Sequence, residues 1–297
     1  MSAILEVSIV AEILECEKCF VQTIRTIVGH LAPDLDCLVA MWILIRFGGA
    51  TQADLAFVPA GRTLDGHHAD IDPHIIHVDT GGGQFDHHQY ADTSLSAAEL
   101  IRRVVAPDDP VLQRLVHYVT RLDHALGIAP KEVAFFHIND LIAGYNELFP
   151  TNPQQVVQTM LPNFDAWYQH EQRHLRLEQA FVQRMEFSTP WGLGIAMQSD
   201  DGGSSRLAYR YGAILYAYRD GRGNMGIAAQ SRSAVDLETI YVDLKRVDAE
   251  ADWYLHPNRR MLLCGTAKAP PRQPSQLTLE ELVQIIANKG SAVRWLH

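Results

Sequence analysis

Short apolar segments, the first of them β-branched, alternate with longer apolar or amphipathic segments through the first part of the chain. Three of the short segments have the composition of buried strands: residues 26–29, 55–60 and 75–78. Three of the longer ones have the length and apolar spacing of helices: residues 38–47, 95–105 and 111–122. Strands that alternate with helices predict an α/β fold, with a mostly parallel sheet and helices on both faces. In such sheets ligands bind outside the carboxyl ends of the strands, so functional residues are expected there.

The rest of the chain changes character near residue 188. Residues 131–186 are mainly helical in pattern, and the Ser-Thr-Pro-Trp-Gly sequence at 188–192 ends that pattern. The segments beyond it predict three strands and a terminal helix: residues 193–197, 213–218, 226–229 and 277–287. We therefore predict an N-terminal domain, a helical connector and a smaller α/β C-terminal domain: residues 1–150, 151–188 and 189–297.

The charge balance limits the kind of partner. Lysine and arginine number 25 and aspartate and glutamate number 35, which gives a formal net charge of −10 with neutral histidine. Binding to a long nucleic-acid duplex needs many basic contacts to phosphates, so we expect no such partner. A short anionic substrate remains open, because bound divalent cations can reverse the local field.

Targeting signals and cysteine usage predict a cytoplasmic protein. The chain has no run of 18 apolar residues, so neither a transmembrane helix nor a membrane partner is expected. The N-terminal residues include Glu6 and Glu12 and lack a basic leader, which argues against a secretory signal. The cysteines are too few for a disulfide scaffold: Cys16, Cys19, Cys37 and Cys264. Cys16 and Cys19 form a C-x-x-C pair without the second half that a zinc site needs, and their role stays open.

Imidazole and carboxylate side chains follow two of the predicted strands. The residues after the first and third strands are rich in groups able to bind metal: His30, Asp34, Asp36, Asp79, Asp86, His87 and His88. Aspartates at such positions usually cap helices, and glycines such as those at 81–83 usually form turns. Here, however, no Lys or Arg stands among these groups, and their charges would repel one another unless divalent cations neutralised them. Mixed His and Asp ligands suit Mn²⁺ or Mg²⁺ better than thiolate-rich zinc sites do, so the sequence predicts a site for two such ions.

The order of these motifs resembles the DHH phosphoesterase superfamily, which includes RecJ-type nucleases, oligoribonucleases, exopolyphosphatases and family II pyrophosphatases. The matching residues are His30-Leu-Ala-Pro-Asp34-Leu-Asp36, then Asp79, then Asp86-His87-His88, and finally Asp123 in Arg-Leu-Asp-His-Ala. The segment from Asp79 to Gln89 and the helix start Ser96-Ala-Ala-Glu-Leu are most similar to the melanocyte-proliferating-gene type exonuclease branch. The resemblance covers residues 26 to about 125 and implies a DHH-type metal-binding catalytic domain at 1–150.

Two features depart from the family pattern. Cys37 stands where related sequences often have Ala, which keeps the ligands and places a thiol near the metals. The C-terminal part lacks the Gly-Gly-Gly-His phosphate-binding motif of many relatives. Seven residues are candidates to replace this motif, and for each of them a structural role is the alternative: Gly202, Gly203, Ser204, Arg232, His256, Arg259 and Gly265. Of these, Arg232, His256 and Arg259 are the candidate substrate-binding residues.

The resemblance implies a metal role for six residues: His30, Asp34, Asp36, Asp79, His87 and Asp123. One ion would be held by His30 and Asp34. The other would be held by Asp36, His87 and Asp123. Asp79 would bridge the two ions, and a water between them would attack phosphorus.

The resemblance also implies catalytic roles for Asp86 and His88. Asp86 would orient the histidine pair, and His88 would contact the scissile phosphate. Neighbouring side chains on an extended segment point in opposite directions, so His87 and His88 are expected to differ in role unless the backbone turns. Four other histidines have no place in this scheme, and surface or hydrogen-bonded core positions are expected for them: His67, His68, His74 and His77.

We therefore predict a two-domain, metal-dependent phosphohydrolase that cleaves short oligonucleotides or other nucleotide phosphoesters from an end. The expected cofactors are two Mn²⁺ or Mg²⁺ ions, and the expected partner is a short oligonucleotide or a phosphorylated small molecule. A pyrophosphatase or exopolyphosphatase of the same superfamily is the enzymatic alternative. A non-catalytic nucleotide-binding or metal-binding regulator is the other alternative, and a homo-oligomeric state is left open.

Overall fold

The computed structural model describes residues 24–125 and 137–288 of the chain. Within these ranges it contains eight α-helices and nine β-strands. The chain divides into two compact units, residues 1–172 and 173–297. The predicted α/β class is confirmed, with a parallel sheet in the first unit and a mixed sheet in the second. None of the described helices combines the length and the apolar character needed to cross a bilayer. Cys16 and Cys19 lie outside the described residues.

The first unit is built on three parallel strands: β1 (Thr26–His30), β2 (Asp54–Val58) and β3 (Ile75–His77). The central strand β1 pairs with both others, which gives the order β2-β1-β3. Val28 lies opposite His77 in this register, so the residues that follow β3 lie beside the end of β1. The observed bounds differ from the predicted ones by at most two residues, because short apolar runs define these strands.

Four helices lie in the described part of the first unit, and a fifth begins there: α1 (Leu35–Arg46), α2 (Ala97–Val105), α3 (Pro110–Asp123), α4 (Ile138–Leu148) and α5 (Pro153–Ala180). Helix α1 is buried along almost its whole length and packs against β1, while α2 and α3 pack against α1. It begins earlier than residue 38 because the Asp34 carboxylate accepts a hydrogen bond from the Cys37 amide at 3.1 Å and caps it. The division between the units falls inside α5. The three domain limits given by the sequence pattern stay predictions.

The second unit contains a six-stranded mixed sheet and three further helices: β4 (Met185–Thr189), β5 (Gly192–Gln198), α6 (Ser204–Arg210), β6 (Leu215–Arg219), β7 (Met225–Ala229), α7 (Glu238–Val247), β8 (Tyr254–Leu255), β9 (Met261–Cys264) and α8 (Leu279–Ala287). The strand order is β4-β5-β6-β7-β9-β8, and only the β5–β6 pair is parallel. Alternate residues of β5 enter two cores on opposite faces, since Ala196 packs with α7 and α8 and Ile195 with α6 and the end of α5.

The sequence pattern misplaced one feature of this unit. Residues 188–192 do not separate a helical part from a strand part, because Ser188 and Thr189 finish β4 and Gly192 starts β5. Pro190 and Trp191 form the turn of the hairpin, and Gly192 takes a φ of +128° that favours glycine. The last residues of the stretch predicted as helical, from Met185, are therefore a strand.

Candidate metal centre

Imidazole and carboxylate groups meet at the carboxyl edge of the parallel sheet. His30 is the last residue of β1, and Asp79 follows β3 by two residues. Because the two strands are parallel neighbours, His30 Nε2 lies 3.3 Å from Asp79 Oδ2. Asp34 Oδ1 lies 3.9 Å from the same imidazole nitrogen. The Asp34 side chain is 57% exposed and that of Asp79 only 2%, so this half of the cluster runs from the surface into the interior.

The second half of the cluster is centred on His87. Its Nε2 atom lies 3.4 Å from Asp79 Oδ1 and 3.4 Å from Asp123 Oδ2. Asp36 Oδ2 lies 3.7 Å from the same atom. Asp79 therefore directs one carboxylate oxygen to His30 and the other to His87, and it is the residue shared by the two halves.

Asp36 also has a structural task. Its two carboxylate oxygens accept hydrogen bonds from the amides of Ala97 and Ala98, at 2.6 and 3.0 Å, in the first turn of α2. A carboxylate at a helix N-terminus satisfies amides that have no partner within the helix. Substitution of Asp36 is therefore expected to weaken the packing of α1 on α2 as well as the metal centre.

The loop from Asp79 to His88 is held in an unusual backbone conformation. Asp79 has a φ of +57°, which is rare for a non-glycine residue, and Gly81 and Gly82 also have positive φ. Asp86 Oδ2 accepts a hydrogen bond from the Gly82 amide at 2.8 Å, which closes the loop on itself. Strain of this kind persists only where the surroundings enforce it, and it is common at functional sites.

The two adjacent histidines lie side by side, because the backbone turns at this point. Their ring centroids are 4.4 Å apart, so the opposite directions expected for an extended segment do not apply. His88 Nδ1 is 2.8 Å from Asp86 Oδ1, and the His88 side chain is 66% exposed. Asp86 thus holds His88 directly, whereas His87 contacts the other carboxylates of the cluster.

Burial and neighbouring charges shift the pKa values of several residues in the cluster. Burial lowers the pKa of His30, and its contacts with Asp79 and Cys37 outweigh this and raise the pKa to about 12. Contact with Asp79 raises the pKa of His87 to about 9 against the opposing effect of burial. Burial raises the pKa of Asp36 well above its usual value, and the nearby Asp79 charge adds to this effect. Without a metal ion, protons would have to balance these carboxylates.

The residues fit a bound cation. Asp79 Oδ1 and His87 Nε2 are buried and have no hydrogen-bond partner, which is costly unless something else coordinates them. Among the described residues, the four aspartates of the cluster form ion pairs with histidines, and none of them pairs with Lys or Arg. Two ligands of one ion at ordinary bond lengths lie about 3.0–3.6 Å apart, close to the separations around His30 and His87. The donor set of imidazoles and carboxylates suits a divalent cation.

Two further residues belong to this region. Cys37 is buried beside His30 and Asp79, and its potential ligand atom lies within 4.8 Å of theirs. His124, which the sequence reasoning missed, lies edge-on to His87 with ring centroids 5.3 Å apart. Its Nε2 atom donates to the Leu95 carbonyl at 2.7 Å. The only signal for His124 in the sequence is its position next to Asp123.

A cavity of about 330 Å³ opens beside the cluster. Carboxylates, carboxamides and apolar side chains line it: Asp34, Leu35, Asp36, Val119, Leu122, Asp123, Asn139, Ile142, Ala143 and Asn146. The Asn146 amide donates to the Pro33 carbonyl at 3.1 Å and so fixes the turn before α1. Nothing in the sequence pattern pointed to Asn139 or Asn146.

The four histidines that the sequence left without a role in the cluster lie outside it. His77 is a core residue whose Nε2 accepts from the Leu64 amide at 3.0 Å and whose Nδ1 lies 3.0 Å from the Ala69 carbonyl. Burial lowers its pKa, and the Ala69 carbonyl and the Asp70 charge oppose this effect only in part. His67 and His68 are exposed, and His74 is half-buried.

The candidate substrate-binding residues of the second unit do not form a comparable cluster. Arg259 Nη1 lies 2.5 Å from Glu238 Oε2 and 3.3 Å from Asp236 Oδ2. His256 Nδ1 accepts from the Asn258 amide at 3.2 Å, within the turn between β8 and β9. Arg232 is exposed in the segment between β7 and α7.

The glycines proposed as a phosphate-binding substitute have local structural tasks. Gly203 precedes the short helix α6, and its amide donates to Asp201 Oδ1 at 2.7 Å. Gly265 has a φ of +82°, and a Cβ there would lie 2.2 Å from Pro271 Cδ. Both positions are explained by backbone geometry without a ligand.

Comparison with known proteins identifies no family for the chain. No family model matches it, and no curated protein matches it. Among solved structures, an uncharacterized protein from Helicobacter pylori is 12% identical, with a TM-score of 0.28 over 90% of this chain and 99% of that one. RecJ from Thermus thermophilus in complex with Mg²⁺ is 15% identical, with a TM-score of 0.26 over 86% of this chain. An exopolyphosphatase-related protein from Bacteroides fragilis is 10% identical, with a TM-score of 0.26 over 94% of this chain and 95% of that one.

The chain covers only half of the RecJ structure. Identities of 10–15% with TM-scores below 0.3 establish neither a family nor an activity for this chain. Its function therefore has to be inferred from its own residues.

Proposed function

We propose that the chain is a metal-dependent phosphohydrolase of the DHH phosphoesterase type that uses two divalent cations, Mn²⁺ or Mg²⁺. One observation supports this above all others. Asp79 is buried and directs one carboxylate oxygen to His30 at 3.3 Å and the other to His87 at 3.4 Å. A carboxylate shared by two sets of ligands is the arrangement that a two-metal phosphoesterase needs.

Each half of the cluster would hold one ion. His30, Asp34 and Asp79 would hold the first. Asp36, His87 and Asp123, together with Asp79, would hold the second. When bound, such a pair of cations lowers the pKa of water and neutralises charge on phosphoryl oxygens.

His88 is the residue of this chain best suited to contact the phosphate. Asp86 holds its Nδ1 at 2.8 Å, which fixes the ring and leaves Nε2 available on an exposed side chain. With Nδ1 engaged by Asp86, Nε2 is the ring nitrogen that can donate a hydrogen bond to an anionic oxygen. Asp86 acts through His88 and also closes the loop at Gly82, so it is a positioning residue.

The cavity beside the cluster favours a substrate with an organic group. Its walls include the apolar side chains of Val119, Leu122 and Ile142, next to the carboxamide of Asn139. Its volume of about 330 Å³ is at the small end of the range for small-molecule sites. A nucleoside has both an apolar face and hydrogen-bonding edges, whereas pyrophosphate and polyphosphate have no group for an apolar wall. We therefore propose short oligonucleotides or nucleotide phosphoesters as the substrates, cleaved from an end.

A screen of purified protein with Mn²⁺ against dinucleotides, adenosine 3′,5′-bisphosphate, pyrophosphate and a labelled oligomer tests the proposal. Rates are expected to be highest for the short nucleotide substrates and to depend only mildly on salt, because a chain of net charge −10 has few phosphate contacts to lose. Faster hydrolysis of pyrophosphate would favour the pyrophosphatase alternative. Nucleotide binding without turnover would favour a regulator. Rates that rise with oligomer length and collapse at moderate salt would contradict the preference for short substrates.

A further inference from the structure

The His30 half of the metal centre contains a sulfur atom. His30, Cys37 and Asp79 each offer one ligand atom, and the three atoms lie within 4.8 Å of one another. Cys37 is fully buried in the first turn of α1, directly after Asp36. A buried cysteine is most often a small hydrophobic residue, so its role depends on what else faces it.

The position of the Cys37 sulfur is fixed from two sides. The Cys37 amide donates to the capping carboxylate of Asp34, which is itself a proposed ligand. On the other side the sulfur lies over Gly29, the residue before His30, since a Cβ at that glycine would lie 2.9 Å from Sγ. The sulfur is thus held against β1 at the point where the strand presents its imidazole.

A second observation concerns the carboxylate of Asp79. It is 2% exposed, directs its Oδ2 atom to His30 Nε2 at 3.3 Å and has ion pairs with histidines but with no Lys or Arg among the described residues, so its charge is left for a cation to balance. Ligands around a zinc ion, with bonds of about 2.0–2.3 Å, lie about 3.3–3.8 Å apart, which the spacing of this group allows. Thiolates are soft ligands that select zinc-like ions, whereas Mn²⁺ and Mg²⁺ prefer oxygen and nitrogen.

We infer that Cys37 supplies a sulfur ligand to the His30 half of the centre, so that this half binds thiophilic ions such as Zn²⁺ in preference to Mn²⁺ or Mg²⁺. As the bond from sulfur to the ion forms, the thiol proton is released to solvent, and no other reactant is needed. Zn²⁺ would then compete with the hydrolytic ion at one half of the centre only. This inference rests on the proposed metal centre, but it does not depend on hydrolysis.

A variant with Cys37 as its single thiol tests the inference: Cys16→Ser, Cys19→Ser and Cys264→Ala. Metal-free protein is titrated with Co²⁺, a spectroscopic substitute for Zn²⁺, and a near-ultraviolet sulfur-to-cobalt charge-transfer band is expected. The same chain with Cys37→Ala should lose the band. Its affinity for Zn²⁺ should fall by at least the ~10–100-fold that even outer-shell partners of a metal contribute, while its affinity for Mn²⁺ stays within a few-fold. Cys37→Ser preserves side-chain volume and should also lose the band.

The outcomes separate the inference from the proposed function. Co²⁺ binding without the band in the single-thiol variant, with Mn²⁺-dependent hydrolysis intact, would overturn the sulfur ligand alone. An unchanged preference for Zn²⁺ over Mn²⁺ in Cys37→Ala and Cys37→Ser would do the same. If neither the single-thiol variant nor the unaltered chain bound Co²⁺, Zn²⁺ or Mn²⁺, both the sulfur ligand and the metal centre would be overturned.

Discussion

The two compact units balance their buried and surface charges in different ways. At the sheet edge of the first unit, the carboxylates of Asp36, Asp79 and Asp123 surround His87 and pair with histidines alone among the described residues. In the second unit the candidate basic residue Arg259 is already paired with Glu238 and Asp236. Carboxylates that no basic side chain neutralises indicate a site for an external ion. Charged groups that neutralise each other within the protein indicate a structural role.

The same contrast appears in the backbone. Asp79 and Arg259 both have φ values in the left-handed region, at +57° and +56°. Asp79 is buried and carries an oxygen without a hydrogen-bond partner, whereas Arg259 lies exposed in a turn between two strands. A strained backbone conformation therefore indicates a functional site only where the side chain that it positions has a polar atom without a hydrogen-bond partner.

The strongest test of this contrast is Asp79→Asn, because asparagine tolerates the left-handed conformation and keeps the side-chain shape. Loss of one preorganised charged group costs about 10²–10³ in turnover, and Asp79 serves two ions, so a fall of roughly 10⁴ or more is expected. Bound metal should fall in parallel. Asp65→Asn is the matched control, since Asp65 has a φ of +56° but is exposed outside the cluster. Turnover and metal content are measured for both, and near-normal values for Asp79→Asn would remove the shared carboxylate from the account.

The adjacent histidines sharpen the contrast within the first unit. His88→Ala should retain both ions and lose about 10²–10⁴ in turnover, the range for a proton-transfer or charge-stabilising group. His87→Ala should lose occupancy of one ion, and excess Mn²⁺ should restore part of the activity. Metal counts, turnover and thermal melts are compared for the two variants. Equal metal content and near-normal turnover in both would show that these residues only pack in the loop.

The pH dependence of stability tests the unbalanced charges directly. In the metal-free protein the pKa of His87 rises from 6.5 to about 9 on contact with Asp79. A raised pKa stabilises the fold below the unfolded value, and this contribution is lost as the pH rises through the folded value. The melting temperature of metal-free protein should therefore fall by a few degrees between about pH 6.5 and about pH 9, and the increment from added Mn²⁺ should grow. A metal-free melting temperature that is flat or rising would contradict this, and Asp79→Asn should flatten the slope.

Substitutions in the second unit are expected to have the smallest effect on activity. Arg259→Ala removes an ion pair in which both side chains are 51% exposed, and such pairs contribute about 0–1 kcal/mol. We expect a change in kcat/KM of no more than about twofold, because the guanidinium is engaged with Glu238 and Asp236. Arg232→Ala, at an exposed arginine of the same unit, is the paired variant. A loss of more than tenfold for Arg259→Ala, without loss of stability, would show that its carboxylate partners release it to a substrate.

The first unit was more predictable from sequence than the second for a physical reason. Short apolar runs define its three parallel strands, and polar residues that follow parallel strands must meet at one edge. The proximity of His30 and Asp79 follows from that rule alone. In the second unit the helices α6 and α7 are amphipathic surface elements between short strands, and β8 has only two residues, so their periodic signal is weak.

Other features of the site depend on contacts between distant parts of the chain. Asp36 binds the amides of Ala97 and Ala98, which lie 61 and 62 residues further on. His124 binds the carbonyl of Leu95 across 29 residues. Local pattern contains no information about such bonds, and the turn that brings the rings of His87 and His88 together likewise depends on the folded loop.

The proposed metal centre depends on a carboxylate, that of Asp79, shared by two cations. Anomalous difference density from a crystal of the protein soaked in Mn²⁺ shows whether two ions bind at the carboxyl edge of the parallel sheet. Two peaks are expected, one in contact with His30 and Asp79 and the other in contact with His87 and Asp79. A map with no peak between His30 and Asp79, from protein shown to be folded and soaked at saturating Mn²⁺, would contradict the account.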